Sequence, residues 1–306
     1  MRTAFIEALV EAAEVDERIW LLTGDLGYSV LERFAQKFPK RFLNVGVAEQ
    51  NLIGVASGLA MSGRIVYAYS IANFPVMRCL EQIRNDVCYH NLNVKIVAVG
   101  GGFAYGPAGY THHALEDLAV MRSLPGMTVI APGDPVEARQ ATKAVAEWPG
   151  PCYLRLGKAG EPIVHLTPPH FRIGKGLVAR DGSDVTLIST GGMLKNTLEA
   201  AELLSAQKIS ARVLSMHTLK PLDVQAVSDA ARSTRLLCAI EEHGEIGGLS
   251  DAIARCLAEQ SLKCAFLAFN ISVEAGSMIG SQSYLLDRAG LSAEGISQRI
   301  VEILKR

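Results

Sequence analysis

The sequence lacks the features that would place this chain in a membrane, on nucleic acid or in a disulfide-stabilised class. No apolar run reaches the about 18 residues of a membrane span, and residues 1–5 have no signal-peptide layout. Thirty Lys and Arg residues against 31 Asp and Glu residues give a formal charge of −1, without the basic surface that nucleic-acid binding needs. The six cysteines form no C-x-x-C pair, so zinc clusters and disulfides fit poorly. We expect a cytoplasmic globular protein with neither nucleic-acid nor membrane partners.

Apolar runs alternate with amphipathic stretches along most of the 306 residues, of which 49% are hydrophobic. In the first half, buried strands are predicted at 19–23, 42–45, 65–69, 94–99 and 128–131. Helical periodicity predicts helices at 4–14, 48–61, 74–89, 115–123 and 135–147. Such alternation is typical of a parallel sheet with helices on both faces.

A segment rich in glycine and proline, residues 157–176, interrupts this alternation. Beyond it, strands are predicted at 185–189, 212–216, 236–241 and 265–269, and helices at 194–206, 223–231, 250–260 and 292–304. The fold class is therefore α/β, with two doubly wound domains whose sheets are mainly parallel. We place the first domain at 1–158, a linker at 159–176 and a smaller domain at 177–306.

Two segments bring polar residues directly after predicted strands, where open α/β sheets bind ligands. Glu49 begins an apolar helix after the strand at 42–45, and a first-turn helix cap is the alternative interpretation. Residues 100–113 are rich in glycine, which allows close backbone approach, and end in His112 and His113, which can carry protons. A solvated surface loop is the alternative there. For His217 and for the segment 241–248, a structural or interface role is favoured.

These segments together resemble the second half of transketolase over nearly the full chain. The resemblance rests on an ordered series: T-G-D-L-G at 23–27, F-P-K-R-F-L-N-V-G-V-A-E-Q at 38–50, G-Y-T-H-H at 109–113, P-G-D at 132–134 and P-C-Y-L-R-L-G-K at 151–158. Deoxyxylulose-phosphate synthase and the β chains of 2-oxo acid dehydrogenases share this plan. The resemblance implies a pyrimidine-binding domain followed by a transketolase C-terminal-like domain.

The family resemblance implies roles around thiamine diphosphate for four residues. Glu49 matches the glutamate that hydrogen-bonds the pyrimidine ring nitrogen and so drives activation of the cofactor. We expect this side chain to be partly desolvated. Phe74 falls where the family stacks an aromatic ring on the pyrimidine, and Tyr69 is the competing candidate. Asp25, in the T-G-D-L-G segment, is assigned to the cofactor site as well.

The resemblance also implies residues that bind the sugar substrate. His112 matches the histidine that contacts the reacting sugar's hydroxyl groups and relays protons, whereas His113 is expected to be a bystander. Arg2 and Ser29 match positions that contact the sugar phosphate. Lys158 stands where the family usually has arginine. A single ammonium charge therefore replaces a guanidinium group, which can donate two parallel hydrogen bonds to a phosphate.

Two departures from the family pattern point to altered substrate recognition. Gly100 stands where transketolases have a phosphate-binding histidine, and Ala108 stands where they have an aspartate. We therefore expect fewer contacts to the substrate phosphate, and an unusual acceptor sugar.

The magnesium-binding Gly-Asp-Gly…Asn motif of the family's diphosphate domain is absent from this sequence. The resemblance therefore implies the C-terminal subunit of a split transketolase, which transfers a two-carbon ketol unit from a ketose or ketose phosphate to an aldose. A 2-oxo acid dehydrogenase β subunit, a deoxyxylulose-phosphate-synthase-like enzyme and a non-catalytic scaffold are the alternatives. We expect no metal ligands on this chain. An N-terminal partner subunit would carry the Mg²⁺ and diphosphate site, in an α₂β₂ assembly.

Overall fold

The computed structural model describes residues 1–305 and contains two β-sheets with helices packed on both faces of each. The strands of the first sheet are β1 (Ile19–Thr23), β2 (Phe42–Asn44), β3 (Ile65–Ile71), β4 (Val94–Val99), β5 (Thr128–Ile130), β6 (Cys152–Leu156) and β10 (Thr218–Lys220). The helices in this part of the chain are α1 (Arg2–Val15), α2 (Glu32–Lys37), α3 (Glu49–Met61), α4 (Asn73–Arg78), α5 (Leu80–Gln82), α6 (Asp117–Ser123) and α7 (Pro135–Glu147). Short 3₁₀ turns lie at Pro39–Arg41, Gly106–Ala108, Tyr110–His112 and Gly191–Met193.

The second sheet uses the remaining strands, β7 (Leu177–Arg180), β8 (Val185–Ser189), β9 (Ala211–Ser215), β11 (Leu236–Gly244) and β12 (Ala265–Ile271). Its helices are α8 (Leu194–Ala206), α9 (Val224–Ser233), α10 (Leu249–Glu259), α11 (Val273–Gly276), α12 (Gln282–Arg288) and α13 (Ala293–Leu304). The strand orders are β10-β5-β6-β4-β3-β1-β2 and β12-β11-β8-β9-β7. All pairings are parallel except those of β10 with β5 and of β7 with β9. The predicted fold class is confirmed.

The parallel strands are apolar because helices cover both of their faces. Every residue of β4 is buried, including Lys95. The ammonium group of Lys95 donates hydrogen bonds to the carbonyl oxygens of Trp148 and Gly150, at 2.6 and 2.7 Å. Burying a lysine costs little stability only when its donors are satisfied in this way. The strand therefore remains at the centre of the sheet despite its charge.

The helix predicted at 74–89 is interrupted in the structure, and this part of the prediction is wrong. It divides into α4, α5 and a π-helical turn at Ile83–Cys88. Cys79, between α4 and α5, has a backbone conformation outside the helical region (φ −113°, ψ 14°). Interruptions of this kind are frequent at functional sites. Here the interruption directly follows Arg78, whose side chain contacts Glu49.

The sequence analysis did not predict three of the strands, and one of these connects the two halves of the chain. β6 and β7 flank the glycine- and proline-rich segment, and β10 is only three residues long. β10 follows β9 in the chain but leaves the second sheet and pairs with β5 at the edge of the first. A three-residue strand has no recognisable periodicity, so only long-range pairing reveals it.

The segment predicted to be a linker is anchored to the start of α7 by Asp134, which caps the helix, and by Glu137 in its first turn. Asp134 accepts the N–H of Glu137 as a helix cap and, through its other oxygen, the N–H groups of Val164 and His165, each at 2.9 Å. Glu137 also binds His165, whose Nε2 lies 2.8 Å from Oε1. This contact raises the pKa of His165. The part of the segment around Val164 and His165 is therefore fixed against the start of α7.

Candidate functional site

Glu49 lies at the first position of α3, at the edge of the sheet where the parallel strands end. The turn from β2 into α3 passes through Gly46, whose φ of +78° favours glycine. The Glu49 side chain is only 5% exposed, as expected for a partly desolvated acid. Its Oε1 accepts a hydrogen bond of 2.9 Å from Nη1 of Arg78, which is half-exposed. The buried carboxylate thus has a compensating cation at the site's surface.

Arg78 connects Glu49 to two further residues that the sequence analysis singled out. Its guanidinium carbon lies 4.6 Å from the centre of the Phe74 ring. Phe74 in turn meets His112 edge-on, with ring centroids 5.2 Å apart and an interplanar angle of 69°. We call Glu49, Arg78, Phe74 and His112 the acid–aromatic cluster. Three separate strand exits therefore bring an acid, an aromatic ring and a histidine to one place.

A polar contact holds the 3₁₀ turn that carries His112 against the start of α4. Nδ2 of Asn73 donates a hydrogen bond to the carbonyl oxygen of Thr111 at 3.1 Å. The hydroxyl of Thr111 lies 3.0 Å from Nδ1 of His112, which leaves Nε2 as the ring nitrogen without a partner among residues 1–305. The ring is therefore oriented by its own loop, with one nitrogen open for another group.

Tyr69, the competing aromatic, packs in a different environment from Phe74. It is buried and stacks on Phe5 of α1, with ring centroids 6.0 Å apart and an interplanar angle of 28°. Burial raises the pKa of Tyr69 to about 12, although the nearby charge of Arg2 acts in the opposite direction. Its ring also lies under the loop after β1, close to Gly27. Of the two candidates, Phe74 is the one that belongs to the acid–aromatic cluster.

Lys158 and Arg2 surround a tyrosine that the sequence analysis missed. Nζ of Lys158 lies 4.8 Å from the centre of the Tyr105 ring. Burial raises the pKa of Tyr105, and the charge of Arg2 opposes this shift. The Tyr105 ring fills the space that a side chain at Gly100 would need. We call Arg2, Tyr69, Tyr105 and Lys158 the basic–tyrosine cluster, and Tyr105 explains physically why position 100 is glycine.

Asp25 and Ser29 lie on the loop after β1, and both are exposed or nearly so with positive φ angles of 60° and 62°. The carboxylate of Asp25 accepts hydrogen bonds from Tyr28 and Asn44. The Asn44 contact, followed by that of Tyr28, lowers the pKa of Asp25. The N–H of Ser29 donates to Glu32. Neither residue forms a hydrogen bond with the acid–aromatic cluster.

The remaining polar residues noted in the sequence have structural surroundings. His113 is buried, with Nδ1 3.1 Å from the carbonyl oxygen of Gly276. Glu241 accepts the N–H groups of Leu249 and Ser250 and so caps the start of α10. His217 stacks on a phenylalanine of the segment before β7, at 3.9 Å, and burial lowers its pKa to about 4. These contacts agree with the structural roles favoured from the sequence.

Arg78 is the residue of the acid–aromatic cluster that the sequence analysis overlooked. A signal existed, because Arg78 lies four residues after Phe74, a spacing that places two side chains on one face of a helix. No comparable local signal links Arg78 to Glu49, which is 29 positions away. Among residues 1–305, no group of three or more His, Cys, Asp or Glu side chains could hold a metal ion. Nor does any helix of that range have the length and apolar character needed to cross a bilayer.

Comparison with known proteins identifies the family. The model of the transketolase pyrimidine-binding domain matches residues 1–160, and that of the transketolase C-terminal domain matches residues 174–296. A putative transketolase C-terminal section from Methanocaldococcus jannaschii is 39% identical over 309 residues, covering 100% of this chain and 96% of the relative. One subunit of an apulose-4-phosphate transketolase from Phocaeicola vulgatus is 36% identical, covering 100% of this chain and 97% of the relative.

Structural similarity extends to the whole chain. A solved split-gene transketolase, described as an inactive β4 tetramer, superposes with a TM-score of 0.91 at 40% identity, covering 99% of this chain and 98% of that one. Matches at this identity and coverage, in sequence and in structure, include both sheets and the loops that carry the acid–aromatic cluster. The chain therefore belongs to the transketolase family, in which it corresponds to the C-terminal section of a split transketolase.

Proposed function

We propose that this chain is the C-terminal subunit of a thiamine diphosphate-dependent transketolase that transfers a two-carbon ketol unit from a ketose or ketose phosphate to an aldose. The observation that carries the proposal is the acid–aromatic cluster, in which a buried Glu49, Phe74 and His112 converge at one sheet edge. Open α/β sheets bind ligands at this edge. A protein that serves only as a scaffold needs no buried acid there.

The residues present fit the aminopyrimidine part of the cofactor. Glu49 offers a carboxyl group to a ring nitrogen, and the Phe74 ring offers an apolar face for stacking. Thiamine diphosphate, when bound, supplies the carbanion that the protein itself cannot provide. Arg78 is hydrogen-bonded to Glu49 in the chain by itself, so we infer that it gives up this contact when the pyrimidine is bound. Asp25, on the neighbouring loop, would contribute from the edge of the site.

His112 and the basic–tyrosine cluster are the proposed sugar-binding groups. His112 has one open ring nitrogen for a substrate hydroxyl, and its loop contacts set its orientation. Arg2, Ser29 and Lys158 would contact a phosphate group. Tyr105 takes the space beside Gly100, so the phosphate would meet a lysine held over a tyrosine ring instead of a histidine. This arrangement favours a substrate whose phosphate is placed differently from that of a standard pentose phosphate.

The cofactor's diphosphate and Mg²⁺ are assigned to a partner subunit. Mg²⁺ in such sites is held by carboxylate and other oxygen ligands, and residues 1–305 offer no group of three or more His, Cys, Asp or Glu side chains that could hold it. The relative from Phocaeicola vulgatus is named as one subunit of its enzyme, and the solved split-gene β4 tetramer is described as inactive. Both support an assembly with an N-terminal subunit, for which we propose α₂β₂ symmetry.

Reconstitution with the N-terminal subunit tests this function. The complex should convert a ketose phosphate and an aldose into the products of two-carbon transfer when thiamine diphosphate and Mg²⁺ are added. Each chain assayed by itself serves as the control. Decarboxylation of a 2-oxo acid with acylation of lipoamide, in the absence of ketol transfer, would instead support a dehydrogenase β subunit. A complex without either activity would contradict the proposal.

A further inference from the structure

A cavity of about 360 Å³ lies between the ends of the two sheets, and Lys158 is the only one of its lining residues to which the proposed function gives a role. Its walls come from the loop after β6, from Gly101 after β4, from Gly191 and Gly192 after β8, and from the first residues of α8 and α13. Glu49, Phe74 and His112 do not line it. The volume falls in the range of small-molecule sites, so the cavity can hold a ligand of metabolite size.

The topology of the second sheet makes this cavity a favourable place for a ligand. β8 is flanked by β9 on one side and β11 on the other, so the chain leaves β8 towards one edge and later returns to fill the opposite edge. The carboxyl end of such a strand is a topological switch point, where open α/β sheets form a crevice that binds ligands. Gly191 and Gly192 follow β8 at this point and lead directly into α8.

Two hydrogen-bond donors at the switch point have no protein partner. Arg155 is only 5% exposed, and its Nε and Nη2 donate to Asp117, to the carbonyl oxygen of Ala114 and to that of Glu242. Its Nη1 donates to no group among residues 1–305 and lies 3.8 Å from the position of a Cβ on Gly191. Nη1 is therefore the nitrogen of this guanidinium that is open to a group in the cavity.

The backbone N–H of Gly192 is the second of these donors. The N–H of Gly191 donates to the carbonyl oxygen of Ala131 at 3.0 Å, whereas that of Gly192 has no acceptor among the described residues. Gly192 is the second residue of the 3₁₀ turn that leads into α8, and the first N–H groups of a helix lack intrahelical partners. Both donors therefore point to an acceptor group that is negatively charged or strongly polar.

The other charges of the lining favour a singly charged anion over a phosphate dianion. Glu161 pairs with the amino terminus at 2.7 Å, Glu199 pairs with Lys195 at 3.4 Å, and Asp117 pairs with Arg155. The carboxyl group of Glu242 is already engaged, since it accepts hydrogen bonds from the N–H of Phe103 and from Nε2 of Gln282. Lys158 and Glu294 also line the wall, and neither forms an ion pair among residues 1–305. A dianion would meet little net positive charge here, whereas a carboxylate needs only the two free donors.

Another part of the cavity lining offers partners for hydroxyl groups. The side chains of Glu242, Gln282 and Ser283 line it, and Nε2 of Gln282 donates to both carboxyl oxygens of Glu242 at 2.9 and 3.1 Å. Carboxyl, amide and hydroxyl oxygens each accept more than one hydrogen bond. We propose that the cavity binds a small polyhydroxylated acid, with its carboxylate held by Nη1 of Arg155 and the N–H of Gly192.

Substitution of Gly192 provides a sharp test, because a Cβ at this position meets no atom within 4 Å and the backbone is outside the left-handed region. Gly192→Asp would place a carboxylate next to the proposed N–H donor in the cavity wall, and Gly192→Asn is the uncharged variant of the same size. Calorimetric titration of the full chain with D-gluconate should give saturable binding with a Kd of about 1 mM or lower, a free energy of about −4 kcal/mol. Gly192→Asp should weaken this binding about tenfold or more, and Gly192→Asn should weaken it clearly less. Glu147→Gln, at the exposed end of α7 and outside the cavity lining, should leave it unchanged.

Two other probes examine the chemistry of the ligand. Sorbitol has the hydroxyl groups without the carboxylate and should bind at least about tenfold more weakly than D-gluconate, as expected for a charge-assisted contact. Inorganic phosphate should also bind more weakly than D-gluconate. The proposal fails if wild-type protein does not bind D-gluconate, if sorbitol binds equally well, or if Gly192→Asp binds D-gluconate like Gly192→Asn. Phosphate binding that is tighter than that of D-gluconate and lost in Gly192→Asp would overturn the assignment of a carboxylate.

Discussion

Arg78 donates a 2.9 Å hydrogen bond to the buried carboxylate of Glu49, and the same guanidinium lies over the ring of Phe74. Only Glu49 is buried, since the Arg78 side chain is 53% exposed. The contribution of this pair to stability should therefore lie between those of two known cases. A surface ion pair contributes little, whereas removing one partner of a fully buried pair is strongly destabilising. This asymmetry determines how the two residues respond to substitution.

Arg78→Met should destabilise the isolated chain more than Glu49→Gln does, because it leaves a buried carboxylate without compensation. The double variant should recover part of the loss, with a coupling energy of about 1 kcal/mol after allowance for the exposure of Arg78. Chemical denaturation of the four proteins measures this cycle. Strictly additive losses would show that the hydrogen bond does not contribute to stability.

Glu49→Gln should leave the fold intact and nearly abolish ketol transfer in the reconstituted complex. The amide retains an oxygen for Arg78 but loses the proposed acid function, which is worth on the order of 10²–10⁴ in rate. Glu147→Gln, an exposed position at the end of α7, is the matched control and should retain normal turnover. Near-normal activity of Glu49→Gln would disprove the proposed role.

His112→Ala should lower turnover by on the order of 10² or more without preventing cofactor binding, since the proposed partner of this ring is the sugar. Titration of thiamine diphosphate into the variant complex, together with steady-state kinetics, separates the two effects. The exposed His170 offers a control, as His170→Ala removes a histidine outside the cluster. A large loss of cofactor affinity in His112→Ala would place the ring in the cofactor site instead.

Lys158→Ala should weaken phosphorylated acceptors selectively, by about tenfold in kcat/KM, the equivalent of about 1.4 kcal/mol. The comparison is between phosphorylated and unphosphorylated acceptors at low salt, where charge contacts are least screened. Lys158→Arg retains the charge and should preserve most of the selectivity. Equal losses on both kinds of acceptor would mean that Lys158 does not bind phosphate.

The chain by itself should not bind thiamine diphosphate in a magnesium-dependent manner. Its proposed contacts reach only the pyrimidine end, and the multiply charged diphosphate needs Mg²⁺ held by oxygen ligands. Calorimetry on the isolated chain, and then on the chain with its N-terminal subunit, tests this expectation. Micromolar, magnesium-dependent binding to the isolated chain would show that the diphosphate site is not on a partner.

Much of this architecture was readable from local sequence. The strands at 19–23, 94–99 and 185–189 and the helices at 135–147 and 194–206 begin and end in the structure where the apolar pattern predicted. Hydrophobic periodicity and turn residues determine such elements, because a strand that is buried on both faces requires a continuous apolar run. The same alternation of strands and helices placed Glu49 at a helix start directly after a strand. This is the edge at which open α/β sheets bind ligands.

Tertiary structure alone decided which side chains meet. The pairing of Arg78 with Glu49, the burial of Tyr69 under α1, the Tyr105 ring beside Gly100 and the crossing of β10 to the first sheet all join residues distant in sequence. The cavity at Gly192 depends on a guanidinium from β6 that reaches the end of β8. Local pattern determines which way a segment faces, but the contacts it makes depend on loop conformations and packing between elements, which no short window of sequence encodes.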